Sequence, residues 1–237
     1  MGSSKYGLSH PFDCNVYLLK CKDELALIDS GAGVEIKSLF ENITNDGLNP
    51  EKVRKVIVTH SHADHAGGCK KLKEKIDCKV YAPAGADKLI EKGTDEELGL
   101  SIAKKSGLYS EDYEYPHIKV DETVKDNEII RIGDSKLITI HIPGHTKYSC
   151  CFLLEKNDHR IIFTGDTVFF NGEIGLINCP GSSLSDYREN IGKLSNLSID
   201  ILLPGHRIFV LRGGQQHIDK AVEALGKIAV PSCFLRG

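Results

Sequence analysis

Short β-favouring runs alternate with segments of helical periodicity along nearly the whole chain of 237 residues. The apolar runs, such as Val56–Val58 with its flanks and Ile199–Leu203, are far shorter than the ~20 residues needed to cross a bilayer. Between such runs, apolar residues recur at helical spacing, as Ile36, Leu39 and Ile43 do. This alternation predicts an α/β fold with buried strands and excludes a membrane-spanning one.

The predicted strands are rich in apolar and β-branched residues, and they cover Asn15–Leu19, Leu25–Ile28, Lys55–Thr59, Val80–Ala82, Lys136–Ile142, Cys150–Leu154, Ile161–Thr164 and Ile201–Leu203. The predicted helices carry an apolar face, and they cover about Ile36–Ile43, Gly67–Ile76, Gly85–Lys92, Glu96–Lys105, Leu184–Leu197 and Gln215–Lys227. The first two strands, separated by three charged residues, read as a hairpin. Residues 84–127 are the least regular part of the chain.

The predicted elements form two similar runs, which meet at about residue 120 without a Pro/Gly/Ser-rich linker. We therefore expect a single domain, residues 1–237, built of two similar β-rich halves with helices on their outer faces. Each half has a strand that ends in a Gly/Asp turn, Ile28–Gly31 in the first and Phe163–Asp166 in the second.

Composition and charge indicate which class of partner and which cellular compartment to expect for this chain. The net charge is −3, with 30 basic and 33 acidic residues, and no run of like charge is long enough to grip a phosphate backbone. We expect a small-molecule substrate, with no nucleic acid and no membrane. The first fourteen residues have no apolar run before their first charges, and the eight cysteines include no CxxC pair. These features predict a cytoplasmic protein with reduced thiols.

A compact group of potential metal ligands follows the predicted strand Lys55–Thr59. The sequence there is His60-Ser-His62-Ala-Asp64-His65. The two-residue step from His60 to His62 places both imidazoles on one side of an extended segment, while Asp64 and His65 come at the turn into the next helix. One short peptide can therefore face two neighbouring metal ions.

Three further potential ligands follow buried strands: His145, Asp166 and His206, each directly after a glycine. Such turns end strands sharply and place the next side chain at the edge of the sheet. A single histidine there is usually a surface or core residue, and Asp166 by itself would read as a turn-stabilising aspartate. Seven potential ligands at strand ends nevertheless predict a metal site. The other histidines are expected to be structural, namely His10, His117, His141, His159 and His217.

In their order along the chain, these motifs resemble those of the metallo-β-lactamase superfamily of hydrolases. The resemblance includes the upstream segment Leu27-Ile28-Asp29-Ser30-Gly31 and extends from about Asn15 to about His217. It implies an αββα sandwich with a two-metal centre at one edge. It also implies that Asp29 orders the ligand loop, for which a plain turn residue is the alternative.

The resemblance further implies a division of the ligands between two ions. The ligands of the first ion would be His60, His62 and His145. Those of the second would be Asp64, His65 and His206, with Asp166 bridging both. Zinc is the metal most expected, but imidazole and carboxylate suit iron and manganese as well.

Two cations ~3.5–4 Å apart can share a water and lower its pKa towards ~7, which supplies a metal-bridged hydroxide without a serine or cysteine nucleophile. Asp64 is placed to orient that water and to shuttle a proton. Lys147 and Tyr148 follow His145 and are possible substrate contacts, although an exposed turn lysine and a packed tyrosine are the alternatives. The expected activity is hydrolysis of a small ester, thioester, lactone or phosphodiester.

Several branches of the superfamily fit the sequence less well. Glyoxalase-II-type thioesterases carry an additional helical domain that binds glutathione, which disfavours a glutathione thioester here. Quorum-quenching lactonases have a tyrosine where this chain has Phe169. Processing nucleases carry a flexible arm and a basic face, neither of which this sequence indicates. Antibiotic-hydrolysing members are secreted, whereas this chain is expected to be cytoplasmic.

Two alternatives to a hydrolase stay open. Persulfide dioxygenases, which use a single iron, share the pattern from Thr59 to His65, but their Arg-Thr-Asp segment is replaced here by residues 169–175. The second alternative is a non-catalytic metal-dependent binding or sensing protein on the same fold. The complete set of seven potential ligands favours an enzyme over a non-catalytic protein.

Overall fold

The computed structural model describes residues 2–3 and 5–235, and the chain divides into two compact units. Unit 1 comprises Met1–Val124 and Ile132–Asp134, and unit 2 comprises Lys125–Arg131 and Ser135–Gly237. The division falls close to the point at which the sequence predicts two halves. Each unit has its own five-stranded sheet and its own apolar core. A single domain over the whole chain stays a prediction.

Unit 1 alternates strands with short helices after an initial hairpin. Its strands are β1 (Tyr17–Cys21), β2 (Glu24–Ile28), β3 (Val53–Ile57), β4 (Lys79–Pro83) and β5 (Glu122–Val124). Its helices are α1 (Lys37–Asn45), α2 (Ala63–Ala66), α3 (Cys69–Lys75), α4 (Ala86–Lys92) and α5 (Leu100–Lys105), with a 3₁₀ turn at Pro50–Lys52.

The sheet of unit 1 has the order β1-β2-β3-β4-β5. β1 and β2 form the predicted antiparallel hairpin, and β2 to β5 are parallel neighbours. Parallel neighbours need a crossover connection, which α1 provides between β2 and β3. Because β2 and β3 run in the same direction, the residues after Ile28 and after Ile57 emerge at the same edge of the sheet.

The core of unit 1 packs helix faces against these strands. Leu39 and Ile43 of α1 and Leu72 of α3 are 1–3% exposed. They belong to the same apolar cluster as the strand residues Val56 and Val80. Fully burying one such side chain stabilises a fold by about 1.5–3 kcal/mol. The core therefore fixes the two connections that lead into and out of β3.

Within the described residues, unit 2 contains five strands and two helices, one before its last strand and one after it. Its strands are β6 (Ile129–Ile132), β7 (Ser135–His141), β8 (Cys150–Lys156), β9 (His159–Gly165) and β10 (Ile201–Pro204). Its helices are α6 (Leu184–Asn190) and α7 (Gly214–Leu225), with 3₁₀ turns at Phe170–Gly172 and Ile191–Leu194. Ser183 caps α6 by accepting a 3.1 Å hydrogen bond from the Asp186 amide.

Three strands of unit 2 end at one edge of its sheet, whose order is β10-β9-β8-β7-β6. β8 is antiparallel to both β7 and β9, and β10 is parallel to β9. β7, β9 and β10 therefore run in the same direction. The turns that follow them, at residues 143–145, 165–167 and 204–206, emerge on the same side.

The structure corrects several element boundaries. The strand predicted at Lys55–Thr59 is β3, which ends at Ile57, and the ligand motif follows as loop and as α2. The helix predicted at Leu184–Leu197 is α-helical only as far as Asn190 and continues as a 3₁₀ turn, because Gly192 is a poor helix former. The strands β5 and β6 are absent from the sequence-based assignment.

The helix predicted at Glu96–Lys105 begins only at Leu100. Thr94 and Glu97 form a separate turn, in which the Thr94 amide donates to Glu97 Oε2 at 2.9 Å and the Glu97 amide donates to Thr94 Oγ1 at 3.2 Å. These reciprocal bonds satisfy the local backbone without a continuous helix.

No helix within the described residues is both long and apolar enough to span a bilayer. All eight cysteines are free, and six of them are buried.

We expect Leu72→Ala to lower the free energy of unfolding by about 2–5 kcal/mol, because it opens a cavity between α3 and the sheet of unit 1. Urea denaturation followed by circular dichroism measures the change. The matched control is Lys70→Ala on the exposed face of the same helix, for which a change within about 0.5 kcal/mol is expected. Equal destabilisation by the two substitutions would contradict this packing.

Candidate metal centre

The ligand motif of unit 1 lies in the loop after β3 and in the short helix α2. His62 is extended (φ −62°, ψ 151°) and caps α2, which then carries Asp64 in its first turn and His65 in its last. His60 Nε2 and His62 Nδ1 are 3.1 Å apart, and His65 Nε2 lies 3.5 Å from Asp64 Oδ2. We call these four residues the motif cluster. The structure brings them together within unit 1, as the sequence predicts.

Asp29 connects the end of β2 with the motif cluster. Its Oδ1 accepts a 2.7 Å hydrogen bond from the Thr59 amide, and its Oδ2 accepts bonds from Thr59 Oγ1 at 2.9 Å and from His65 Nδ1 at 2.8 Å. Asp29 is 2% exposed and has a left-handed backbone (φ 61°). These contacts join Asp29 to the loop that carries the motif cluster, and its role in ordering metal ligands stays a prediction.

The same contacts fix the protonation of two imidazoles. A carboxylate only accepts, so His65 Nδ1 carries the proton and its Nε2 carries a lone pair. Thr59 Oγ1 donates its own proton to Asp29, and its oxygen can therefore accept from His60 Nδ1, 3.0 Å away. Both imidazoles then present Nε2 as the ligand atom, which is the arrangement typical of histidines that bind metals.

One tyrosine and one backbone amide contact the segment of the motif cluster, and a second tyrosine contacts the loop after β2. The Tyr115 hydroxyl donates to the Ser61 carbonyl at 3.1 Å, between two of the ligands, and the Tyr113 hydroxyl donates to the Ala32 carbonyl at 3.1 Å. The Cys14 amide donates to the Asp64 carbonyl at 3.3 Å. Sequence reasoning assigned no such task to these residues, because each contact joins segments distant along the chain.

The Cys14 thiol lies beside the motif cluster but is a poor candidate for a ligand. Its sulfur and ligand atoms of Asp29 and His65 lie within 4.8 Å of one another. Burial raises the pKa of the Cys14 thiol to about 12. The Cys14 side chain is 0% exposed and belongs to the apolar cluster of unit 1, so we assign Cys14 to the core.

Unit 2 brings together the other three predicted ligands, His145, Asp166 and His206, which we call the turn cluster. Asp166 Oδ2 lies 3.6 Å from His145 Nε2 and 3.4 Å from His206 Nε2. The side chains of His145 and Asp166 are 1% and 4% exposed, whereas that of His206 is 23% exposed. The common direction of β7, β9 and β10 accounts for this convergence.

His145 is oriented by a backbone carbonyl. Its Nδ1 donates a 2.6 Å hydrogen bond to the Gly175 carbonyl, which leaves Nε2 to face Asp166. A Cβ atom at position 175 would lie 2.0 Å from the Asp166 carbonyl oxygen and 2.8 Å from His145 Nδ1. Only glycine permits this close approach.

Tyr187 of α6 links the turns that carry the turn cluster. Its hydroxyl lies 3.2 Å from the carbonyl oxygens of Asp166 and Thr167, and it accepts a 3.2 Å hydrogen bond from the Gly175 amide. Burial raises the pKa of Tyr187 well above its ordinary value, so the hydroxyl stays protonated. Gly144 (φ 150°) leaves room for the ring, since a Cβ there would lie 2.4 Å from it.

Lys147 and Tyr148, the predicted substrate contacts, lie on the turn after His145. Lys147 is exposed, and its Nζ lies 5.7 Å from the centre of the Tyr148 ring. The Lys147 carbonyl accepts a 3.0 Å hydrogen bond from His141 Nε2. Contact of these two side chains with a substrate stays a prediction.

The remaining histidines contact ordinary structural partners within their own units. His117 Nδ1 lies 3.0 Å from the Ile90 carbonyl oxygen, and His217 Nδ1 accepts a 2.9 Å bond from the Asn171 amide. The Phe12 amide donates a 3.2 Å hydrogen bond to His10 Nδ1, and His159 Nδ1 lies 3.8 Å from Asp200 Oδ2. These contacts agree with a structural role.

The donor atoms of both clusters have the chemistry and the spacing that a metal ion requires. Two ligand atoms bound at ~2.0–2.1 Å with an angle of about 100–120° at the metal lie roughly 3.1–3.6 Å apart. The donor pairs within the two clusters are 3.1–3.6 Å apart. The His and Asp groups can therefore hold a metal ion.

A family model described as "Metallo-beta-lactamase superfamily" matches residues 10–206 of this chain. The chain therefore belongs to the metallo-β-lactamase superfamily. The match includes every residue of the motif cluster and of the turn cluster, so the predicted membership is confirmed.

Two named relatives are hydrolases. The acyl-coenzyme A thioesterase MBLAC2 of Gallus gallus is 27% identical over 94% of this chain and 83% of its own length. The hydroxyacylglutathione hydrolase of Francisella tularensis is 28% identical over 74% of this chain and 58% of its own length. Together with the family, these relatives identify the chain as a hydrolase.

The fold has a match among solved structures. The FEZ-1 metallo-beta-lactamase of Legionella gormanii superposes with a TM-score of 0.72 at 18% identity, covering 91% of this chain and 88% of that one. The predicted fold class, the metallo-β-lactamase fold with two β-rich halves and helices, is confirmed.

We expect Asp29→Ala to lower the free energy of unfolding by about 3 kcal/mol or more, because the buried donors on Thr59 and His65 lose their acceptor. Urea denaturation measures this loss. Nitrogen-15 NMR of the imidazoles is a second measurement, in which His65 should no longer be confined to the Nδ1–H form. The control Asp23→Ala, in the exposed turn between β1 and β2, should change neither. An unchanged His65 tautomer in Asp29→Ala would contradict the assignment.

We expect Tyr187→Phe to destabilise the protein by about 1–3 kcal/mol, because the buried Gly175 amide loses its acceptor while the ring is retained. Denaturation measures the stability, and hydrogen exchange of the Gly175 amide, which should become faster, reports the local change. Tyr148→Phe removes the hydroxyl of a half-buried tyrosine and should have little effect. Slow exchange of the Gly175 amide in Tyr187→Phe would argue against the hydroxyl as its partner.

Proposed function

We propose that the chain is a metal-dependent thioester hydrolase, with acyl-coenzyme A thioesters as the substrate class to test first. The motif cluster and the turn cluster together would hold two divalent metal ions, zinc being the first expectation. A small molecule would be the partner and the cytoplasm the compartment.

The observation that carries this proposal is the state of the imidazoles. In each unit, an acceptor fixes the Nδ1 proton of a buried histidine: Asp29 for His65 and the Gly175 carbonyl for His145. Each histidine then presents its Nε2 lone pair next to a carboxylate oxygen. Nitrogen and oxygen donors of this kind suit zinc, and also iron and manganese.

The assignment of ligands follows the family pattern residue by residue. The first ion would be held by His60, His62 and His145, and the second by Asp64, His65 and His206. Asp166 would bridge the two ions. The position of Asp166 Oδ2, 3.6 Å from His145 Nε2 and 3.4 Å from His206 Nε2, supports its placement between them.

When bound, two such ions would lower the pKa of a water held between them towards ~7. Asp64 would orient that water and accept its proton. The Asp64 side chain is 21% exposed, so water can reach it, and its backbone carbonyl is bonded to the Cys14 amide. The motif therefore holds the carboxylate in place while leaving it accessible.

A thioester is the substrate that the named relatives favour. Both are hydrolases of acyl groups carried on a thiol, coenzyme A in one case and glutathione in the other. Water adds to the thioester carbonyl carbon, the carbon–sulfur bond breaks, and a carboxylic acid and a free thiol are released. The proton that Asp64 accepts would return to the leaving sulfur. No serine or cysteine nucleophile takes part.

We expect Asp64→Asn to reduce kcat for acyl-coenzyme A hydrolysis by about 10²–10⁴-fold, because the amide cannot accept the proton. Release of free coenzyme A, followed with a thiol reagent, measures the rate. Removal of metal with a chelator should abolish the activity, and added zinc should restore it. Elemental analysis of protein purified without added metal should give two ions per chain.

The matched control is Asp23→Asn, which removes an exposed carboxylate from unit 1 and should retain the full rate. The substrate panel includes oxygen esters, lactones and phosphodiesters, so that a preference for thioesters is measured directly. A metal-loaded protein that cleaves none of these compounds would refute the proposal and favour a binding protein. Oxygen uptake with a persulfide would favour the dioxygenase.

A further inference from the structure

Residues 232–234 form an additional edge beside the segment that follows Asp166. The Ile174 amide donates to the Ser232 carbonyl at 2.9 Å, and the Phe234 amide donates to the Ile174 carbonyl at 3.2 Å. Ile174 also forms an antiparallel bridge with Val168. The 232–234 segment is therefore held by backbone hydrogen bonds, which do not depend on its side chains.

These backbone contacts place the ring of Phe234 against a candidate metal ligand. The Phe234 ring is stacked between Phe169 and His206, with centroids 4.4 Å and 5.4 Å away and interplanar angles of 18° and 14°. Phe234 is 7% exposed. A nearly parallel, offset arrangement of this kind is favourable for aromatic rings.

A second contact joins the same two segments. The guanidinium of Arg207, the residue after His206, donates to the Phe234 carbonyl through Nε at 3.1 Å and also through Nη2. Arg207 has a left-handed backbone (φ 65°). The loop that carries His206 is thus fixed to the 232–234 segment by a ring contact and by a charge-assisted hydrogen bond.

His206 has particular need of such support. Its side chain is 23% exposed, whereas His145 in the same cluster is 1% exposed. The χ2 torsion of an imidazole has a broad energy profile, so an exposed ring rotates readily unless its faces are packed. Rotation would carry Nε2 away from Asp166 Oδ2, which lies 3.4 Å from it.

We propose that Phe234 is a positioning residue that holds the His206 imidazole in its metal-binding orientation and thereby sets the affinity of the second ion. This inference rests on the two-ion centre proposed above. It adds a residue from outside the ligand motifs and outside residues 10–206, the span that the family model matches.

The test compares substitutions at Phe234 with His206→Ala in the full-length protein. We expect Phe234→Ala to weaken binding of one zinc ion by about ten-fold, the usual effect of removing a group that orients a ligand, and to leave the other ion unchanged. Competition titration with a chromophoric chelator gives both dissociation constants, and elemental analysis after dialysis gives the ions retained per chain. His206→Ala should affect the same ion more strongly.

Three further variants separate ring stacking from general packing. Phe234→Tyr keeps the ring and should retain the affinity, whereas Phe234→Leu keeps apolar bulk and should lose about as much as Phe234→Ala. Phe170→Ala is the matched control, since the Phe170 ring contacts His217, a histidine outside the turn cluster, in a tilted arrangement with centroids 4.7 Å apart. Arg207→Leu tests the second contact and should weaken the same ion, which keeps the proposal testable if Phe234→Ala folds poorly.

The outcomes distinguish this inference from the function on which it rests. Two ions in the wild type with unchanged affinity in Phe234→Ala and Phe234→Leu would overturn the inference and leave the proposed centre intact. A wild type that binds fewer than two ions would overturn both. Equal weakening of both ions, or an equal effect of Phe170→Ala, would indicate a general loss of structure and would also overturn it.

Discussion

The common direction of neighbouring strands is the constraint on which the candidate centre depends. In unit 1, β2 and β3 are parallel, so Asp29 and Thr59 emerge together and hydrogen-bond at 2.7 Å. In unit 2, β7, β9 and β10 run the same way, so three turns distant in sequence meet around Asp166. A change in the direction of any of these strands would move its turn to the opposite edge of the sheet.

A histidine becomes a useful ligand only when its second nitrogen is satisfied. The two units meet this requirement by different means. Unit 1 uses a side chain, because Asp29 accepts from His65 and also orients Thr59. Unit 2 uses the backbone, because the Gly175 carbonyl accepts from His145. Both arrangements bury polar groups, and the hydrogen bonds offset the cost of removing those groups from water.

The sequence predicts what local pattern determines. The hairpin and the helix faces follow from apolar periodicity, and the seven candidate ligands follow from one histidine-rich motif and from glycine turns after strands, while the family match confirms the fold. Tyr187 and Phe234 could not be found in this way. Tyr187 contacts Gly175, 12 residues away, and Phe234 contacts His206, 28 residues away, so both contacts depend on how the chain folds back. The strands β5 and β6 were missed because three or four residues carry too little periodicity.

The difference between a side-chain acceptor in unit 1 and a backbone acceptor in unit 2 also explains why the sequence reveals the first and not the second. A side-chain acceptor such as Asp29 leaves a residue type that a pattern can detect, and the segment around it contributes to the family signature. A backbone carbonyl acceptor has no side chain that a sequence pattern could detect. The only requirement at position 175 is a close approach of the backbone, since a Cβ there would lie 2.0 Å from the Asp166 carbonyl oxygen. Substitutions that disturb the turn cluster without touching a ligand should therefore fall at glycines and at the aromatic residues behind them, where only the folded structure reveals the contact.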